Sequence, residues 1–150
     1  MPISDLCSRE LVCVERGTSL RSAAQLMKKK HVGGVVIVEA NGKKKPVGIL
    51  TDRDIVLSVV AEDIPLSSRV ESVMTGNVIK VQQEEGIATV VDKMEREGVR
   101  RMVVVDAAGN ACGLVSSDDI LQLVAKELNG IGKLFEKQIE NEKSYGAVLT

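Results

Sequence analysis

Residues 47–56 read VGILTDRDIV, and residues 112–121 read CGLVSSDDIL. Each is a short apolar run that meets a polar turn and then resumes with helical spacing. Both therefore predict strand, turn and helix in that order. In each, a hydroxyl residue stands three places before an aspartate: Thr51 before Asp54, and Ser116 before Asp119. At a helix start this spacing is nearly a capping box, in which the hydroxyl accepts a backbone N–H and the carboxylate favours the positive end of the helix. A carboxylate so placed can also accept both hydroxyl protons of a ribose diol, and a helix N-terminus beside a hydroxyl suits phosphate. The spacing alone leaves both roles open.

The likeness extends in both directions. SLRSAAQLMKKKHVGGVVIVE (19–39) aligns with GIATVVDKMEREGVRRMVVVD (86–106) at a constant offset of 67. Leu20, Ala23, Ala24 and Met27 match Ile87, Val90, Val91 and Met94, the i, i+3, i+4, i+7 face of a helix. Gly98 ends the second of these helices, and His31 is its counterpart. GVVIV (34–38) and MVVVD (102–106) are continuous β-branched runs, as strands buried on both faces require. The turns that follow, EANGKKKP and DAAGN, differ by two residues, so the offset falls to 65 at Gly48 and Gly113. The following helices carry the stripes Ile55, Val56, Val59, Val60 and Ile120, Leu121, Val124, Ala125. Upstream, LVCV (11–14) matches VIKV (78–81). The expected fold is α/β of the mixed α+β kind: two β-α-β-β-α repeats packed about a pseudo-twofold axis, over 1–62 and 63–128, with a helical tail over 129–150. A single unit of about 60 residues is marginal alone, which favours packing the two together.

Composition narrows the function. Of 150 residues, 44% are hydrophobic and 27% charged, with a net charge of −1. That balance predicts a globular chain without a field for nucleic acid or acidic lipid. Phe135 and Tyr145 are the only aromatic residues, so stacking of single-stranded bases is disfavoured. Cys7, Cys13 and Cys112 are odd in number and lack C-x-x-C spacing, against a disulfide framework or a zinc site and in keeping with the cytoplasm. The N-terminal MPISDLCSREL is too polar for a signal peptide, and no apolar run approaches the ~18 residues of a membrane span. His31 is the sole histidine, so no Ser/His/Asp triad is available. No catalytic or metal-ligating set is expected; Asp52/Asp54 and Asp118/Asp119 are the carboxylate pairs that Mg²⁺ would use, but adjacent side chains at a helix start diverge. The lysine runs MKKKH and GKKKP read as solvated surface.

The ordered set, duplicated, resembles a tandem cystathionine-β-synthase (CBS) domain pair, or Bateman module: strand–helix–strand–turn–strand–helix, VVIVE and MVVVD, SVMT opening the second unit, and G-h-x-[ST]-x-x-D twice. The resemblance covers about residues 3–126. It implies a stand-alone, non-enzymatic regulatory sensor that binds adenosine-containing ligands (AMP, ADP, ATP or S-adenosylmethionine) in clefts between the repeats. It also implies a homodimer and an effector protein that reads the signal. No catalytic cofactor is implied; the adenine nucleotide is the regulatory ligand.

Carried onto this chain, the resemblance implies two sites across the seam. The first joins Ile49, Thr51 and Asp54 to Val78, Ile79 and Val99, with Arg100 and Arg101 toward the phosphates. The second joins Leu114, Ser116 and Asp119 to Leu11, Val12 and Val32, with Gly33 and Gly34 in place of the arginines and Arg53 as the nearby cation. Two guanidiniums favour more phosphates at the first site. The alternative is a ligand-free interaction scaffold whose motifs only cap helices; a nucleic-acid accessory protein is a weaker one.

Beyond Leu128, Gly130 and Gly132 are expected to interrupt the helix. Ile131, Leu134, Phe135 and Ile139 then form one apolar stripe on a short helix that needs a partner. Packing within the homodimer is the favoured arrangement.

Overall fold

The computed structural model describes every residue except Ser8, Arg9 and Thr150, and the side chains up to Tyr145. The chain forms two compact units, residues 1–116 and 117–150.

In the first unit, β1 (Cys13–Glu15), β2 (Gly34–Val38) and β3 (Pro46–Thr51) form one three-stranded sheet. β4 (Lys80–Gln82), β5 (Arg101–Val105) and β6 (Ala111–Ser116) form another. In each sheet the first pair is parallel and the second antiparallel. The parallel pair demands a crossover, supplied by α1 (Leu20–Lys30) and α3 (Ile87–Glu97). Ser19 caps α1, its hydroxyl accepting the Ser22 N–H at 3.1 Å. His31 and Gly98 end the two helices in the left-handed conformation, at φ 55° and 65°. The asymmetry is permissible because this region admits an occasional histidine, although glycine enters it without cost.

The central strands are as deeply buried as their unbroken β-branched runs predict. Val35, Val36, Ile37, Met102, Val103 and Val104 have no exposed surface. Side-chain alternation sends the two faces of β2 to different cores. Val35 and Ile37 join Leu20, Ala23, Met27, Leu50 and Val70 in the core of the first repeat. Val36 and Val38 meet Val103, Val105 and Ala111 in a second cluster that joins the two repeats.

Three local expectations are corrected. The expected first strands, 11–14 and 78–81, lie at Cys13–Glu15 and Lys80–Gln82. The ladder still extends upstream through single bonds, from the Val36 N–H to the Val12 carbonyl (3.1 Å) and from Val103 to Ile79 (3.0 Å). The helix after β3 is α only over Asp52–Ile55 (α2) and then winds as a π-helix over Val56–Ala61. Ile55 and Val59 pack on the core, while Val56 and Val60 face solvent.

The third correction concerns the C-terminus. The second unit is a single helix, α4 (Ser117–Leu149), which runs through Gly130 and Gly132. Each glycine costs about 1 kcal/mol relative to alanine, too little to break a helix with this many good formers on either side. Leu121 and Val124, expected on a buried stripe, are exposed.

The start of each repeat is bonded to the other repeat. A 3₁₀ turn at Ile3–Asp5 is the counterpart of another at Val70–Ser72. The Ile3 N–H donates to the Glu85 carbonyl at 2.7 Å, and the Val70 N–H donates to the Thr18 carbonyl at 2.8 Å. Both residues of each bond differ by the offset of 67, so the exchange follows the pseudo-twofold relation of the sequence. Ile3 and Val70 are both fully buried.

Candidate functional site

β3 ends where β2 begins. Thr51 and Gly34 are register partners, and the Asp52 N–H donates to the Gly33 carbonyl at 3.0 Å. Thr51 then starts α2 with a complete capping box. Its hydroxyl accepts the Asp54 N–H (3.2 Å), and the Asp54 carboxylate accepts the Thr51 N–H through Oδ2 (2.9 Å). Thr51 and Asp54 are half-buried, whereas Arg53 is exposed.

The glycines at the start of β2 make space that neighbouring side chains use. A Cβ on Gly33 would lie 3.3 Å from Asp52 Oδ2. A Cβ on Gly34 would lie 3.6 Å from both Arg101 Nε and Leu114 Cδ2. Arg101 thus sits beside the Thr51 strand end of the first repeat while its own register partner is Ser116. Asp52 borders Gly33, and the Arg101 guanidinium of the opposite repeat borders Gly34, the register partner of Thr51. A carboxylate has about four lone-pair sites. The capping bond to Asp54 uses one, so capping does not exhaust its capacity to accept hydroxyl protons.

The apolar residues nominated from the sequence divide by strand alternation. Leu11, Ile49, Val78 and Leu114, drawn from both repeats, pack on the shared cluster at the seam. Val12 and Val32 pack instead on the core of the first repeat. Val99 is half-buried and its N–H closes α3 on the Met94 carbonyl (3.0 Å); Ile79 is half-buried and Arg100 exposed. Ser116 ends β6, and Asp119 lies with Asp118 in the first turn of α4. A surface depression of about 600 Å³, lined by Met1, Pro2, Ser4, Gln83, Glu84 and Gly86, contains none of the nominated residues.

The CBS domain family model matches residues 3–61 and 70–126. The chain belongs to the CBS domain family. Its CBS repeats are 31% identical over 122 residues to an uncharacterized protein of Methanopyrus kandleri, covering 81% of this chain and 61% of that protein. The chain spans less than two thirds of that relative. Among solved structures, it superposes on the CBS domain pair of protein MJ0100, in complex with 5′-methylthioadenosine and S-adenosyl-L-methionine. The TM-score is 0.74 at 28% identity, over 85% of this chain and 98% of that one. It also superposes on a CBS domain protein of Pyrobaculum aerophilum complexed with AMP, with TM-score 0.73 and 26% identity over 83% and 99% of the two chains.

The CBS pair carries two contacts that sequence reasoning missed. Met74 lies over Gly48, and Cys7 lies over Gly113, where a Cβ would approach Cys7 Cβ to 2.8 Å. The signal was present: ISDLC (3–7) and VESVM (70–74) keep the offset of 67, with apolar residues at the first and last places.

Cys7, Cys13 and Cys112 form no disulfide. Burial pushes the Cys13 thiol above its ordinary pKa, with Glu15 adding to the rise and Lys44 opposing it. Burial likewise raises Cys112, and the negative charges of Asp106 and Glu84 raise it further. Among the described residues, no group of three or more His, Cys, Asp or Glu is placed to hold a metal ion. Nor, among them, is any helix long and apolar enough to cross a membrane.

Proposed function

We propose that this CBS pair is a non-enzymatic regulatory sensor that binds an adenosine-containing ligand at the seam between its repeats. The observation that carries the reading is Arg101 of the second repeat beside Gly34, the register partner of Thr51, which with Asp54 starts α2. It supplies a ribose acceptor, a helix start and a phosphate partner from two repeats within one neighbourhood. The AMP, 5′-methylthioadenosine and S-adenosyl-L-methionine bound by two proteins of the same fold support that ligand class. We assign Thr51 and Asp54 to the sugar, Arg101 to phosphate, and Ile49, Val78, Leu11 and Leu114 to the apolar walls. Ser116 and Asp119 are the corresponding pair of the second repeat. The repeats are assigned to 1–62 and 63–128.

Binding at a seam can signal only if the ligand has different affinities for two arrangements of the repeats. A homodimer and an effector protein would read that difference. Cysteines outside any disulfide fit a reducing, cytoplasmic setting.

A thermal-shift panel of AMP, ADP, ATP, NAD and S-adenosylmethionine tests the reading. A ligand at a hundred times its Kd stabilises by about 2.7 kcal/mol, several degrees for a domain of this size. At least one adenosine ligand is expected to give such a shift, and Asp54→Ala to remove it. No shift across the panel would favour the ligand-free scaffold, a reading supported by the complete capping box at Thr51 and Asp54.

A further inference from the structure

From α4 we infer that the helix pairs in parallel with α4 of a second copy of this chain, giving the homodimer proposed above its contact surface. Leu121, Val124, Leu128, Ile131 and Phe135 are spaced 3-4-3-4 and all are exposed. This is the a/d spacing of a two-helix seam. It holds only because the helix continues through Gly130 and Gly132, which lie off the seam.

Leu134 and Ile139, also exposed, flank the stripe at the g and e positions of that repeat. In a parallel pair, g of one helix meets e of the next heptad on the other, so Leu134 would meet Ile139 of the second copy and extend the apolar contact. The seam then closes on polar side chains. Gln138 and Glu142 take the next two seam positions, and Gln138 Nε2 donates to Glu142 Oε1 at 3.1 Å. Away from the stripe the helix is charged, with Lys126, Lys133, Glu136, Lys137 and Glu140 all exposed.

The area suits a second copy. Seven large apolar residues, each about half exposed or more, present on the order of 800 Å² per copy, the size of one side of a standard stable interface. A self-complementary apolar stripe with no like charges on its seam from Leu121 to Phe135 needs no other partner chemistry.

The test is the mass of the full chain in solution, by light scattering after gel filtration, with circular dichroism to confirm folding. Wild type is expected to be dimeric. Leu128→Glu with Phe135→Glu should give a folded monomer, whereas Lys133→Glu on the charged face should leave the dimer intact. Val124→Cys should form an intermolecular disulfide on mild oxidation, since a parallel pair places the two positions side by side. A monomeric wild type would overturn the inference. So would a dimer that survives the double glutamate variant, which would place the contact elsewhere, for instance at the exposed Val56, Leu57 and Val60. A dimer lost in the double variant but giving no Val124→Cys disulfide would overturn the parallel arrangement.

Discussion

Met74 lies directly over Gly48, so that a methyl group on the glycine would collide with its thioether. Met74 belongs to the segment leading into the second repeat, and Gly48 to the last strand of the first. Their contact is one half of the exchange whose other half is Cys7 over Gly113. Gly48→Ala should therefore force the connector off the sheet, at about 1–3 kcal/mol of overpacking. The expected outcome is a melting temperature lower by several degrees, measured by circular dichroism. Shortening Met74 to alanine in the same chain should restore part of the loss, because the two changes share one contact.

Thr51 and Asp54 cap α2 reciprocally. Thr51→Ala should cost roughly 0.5–2 kcal/mol through the lost cap, read from urea unfolding. Asp54→Ala should cost a similar amount and also abolish the ligand-induced shift. Equal stability losses with an unchanged ligand shift would reduce the pair to a helix start.

Arg101 reaches Gly34 from the opposite repeat. A guanidinium there would act on phosphate and not on the sugar or base. Arg101→Ala should weaken ATP binding more than adenosine binding in calorimetry. Equal weakening of the two would contradict that role.

Cys13 and Cys112 carry raised pKa values because burial penalises their thiolates. The thiolate is the reactive form. At pH 8, iodoacetamide should label both more slowly in the folded chain than in urea, as followed by mass spectrometry. The sign for stability follows from linkage. A thiol whose pKa is higher in the folded state contributes stability below its unfolded pKa. That contribution is lost as pH rises through the folded value. Stability should thus fall on the alkaline side, and replacing both cysteines by serine should flatten the fall.

Gly130 and Gly132 lie inside α4 and not at its end. Gly130→Ala and Gly132→Ala should each favour the helix by about 1 kcal/mol, raising helical circular dichroism and leaving the ligand shift untouched. A rise in helix content much larger than a few residues' worth would mean that the glycines do break the helix.

The sequence alone determined the duplication, the helix and strand types, the family and the place of both hydroxyl–aspartate motifs. Each of these is written in local periodicity or in the repetition of a pattern. Leu20 to Met27 at helical spacing, Val35 to Val38 as a buried strand and Thr51 with Asp54 at a helix start need no distant contact to be read. Tertiary structure decided the rest, because alternation fixes two faces but not which core each face meets. Leu11 turned to the seam and Val12 to the first repeat's core on that account. The offset of 67 held the counterpart of VESVM in ISDLC, yet only folding showed that each turn bonds the opposite repeat. The π winding after Ile55 and the passage of α4 through two glycines are likewise decided by free energies summed over many residues. No single letter in either stretch carries them.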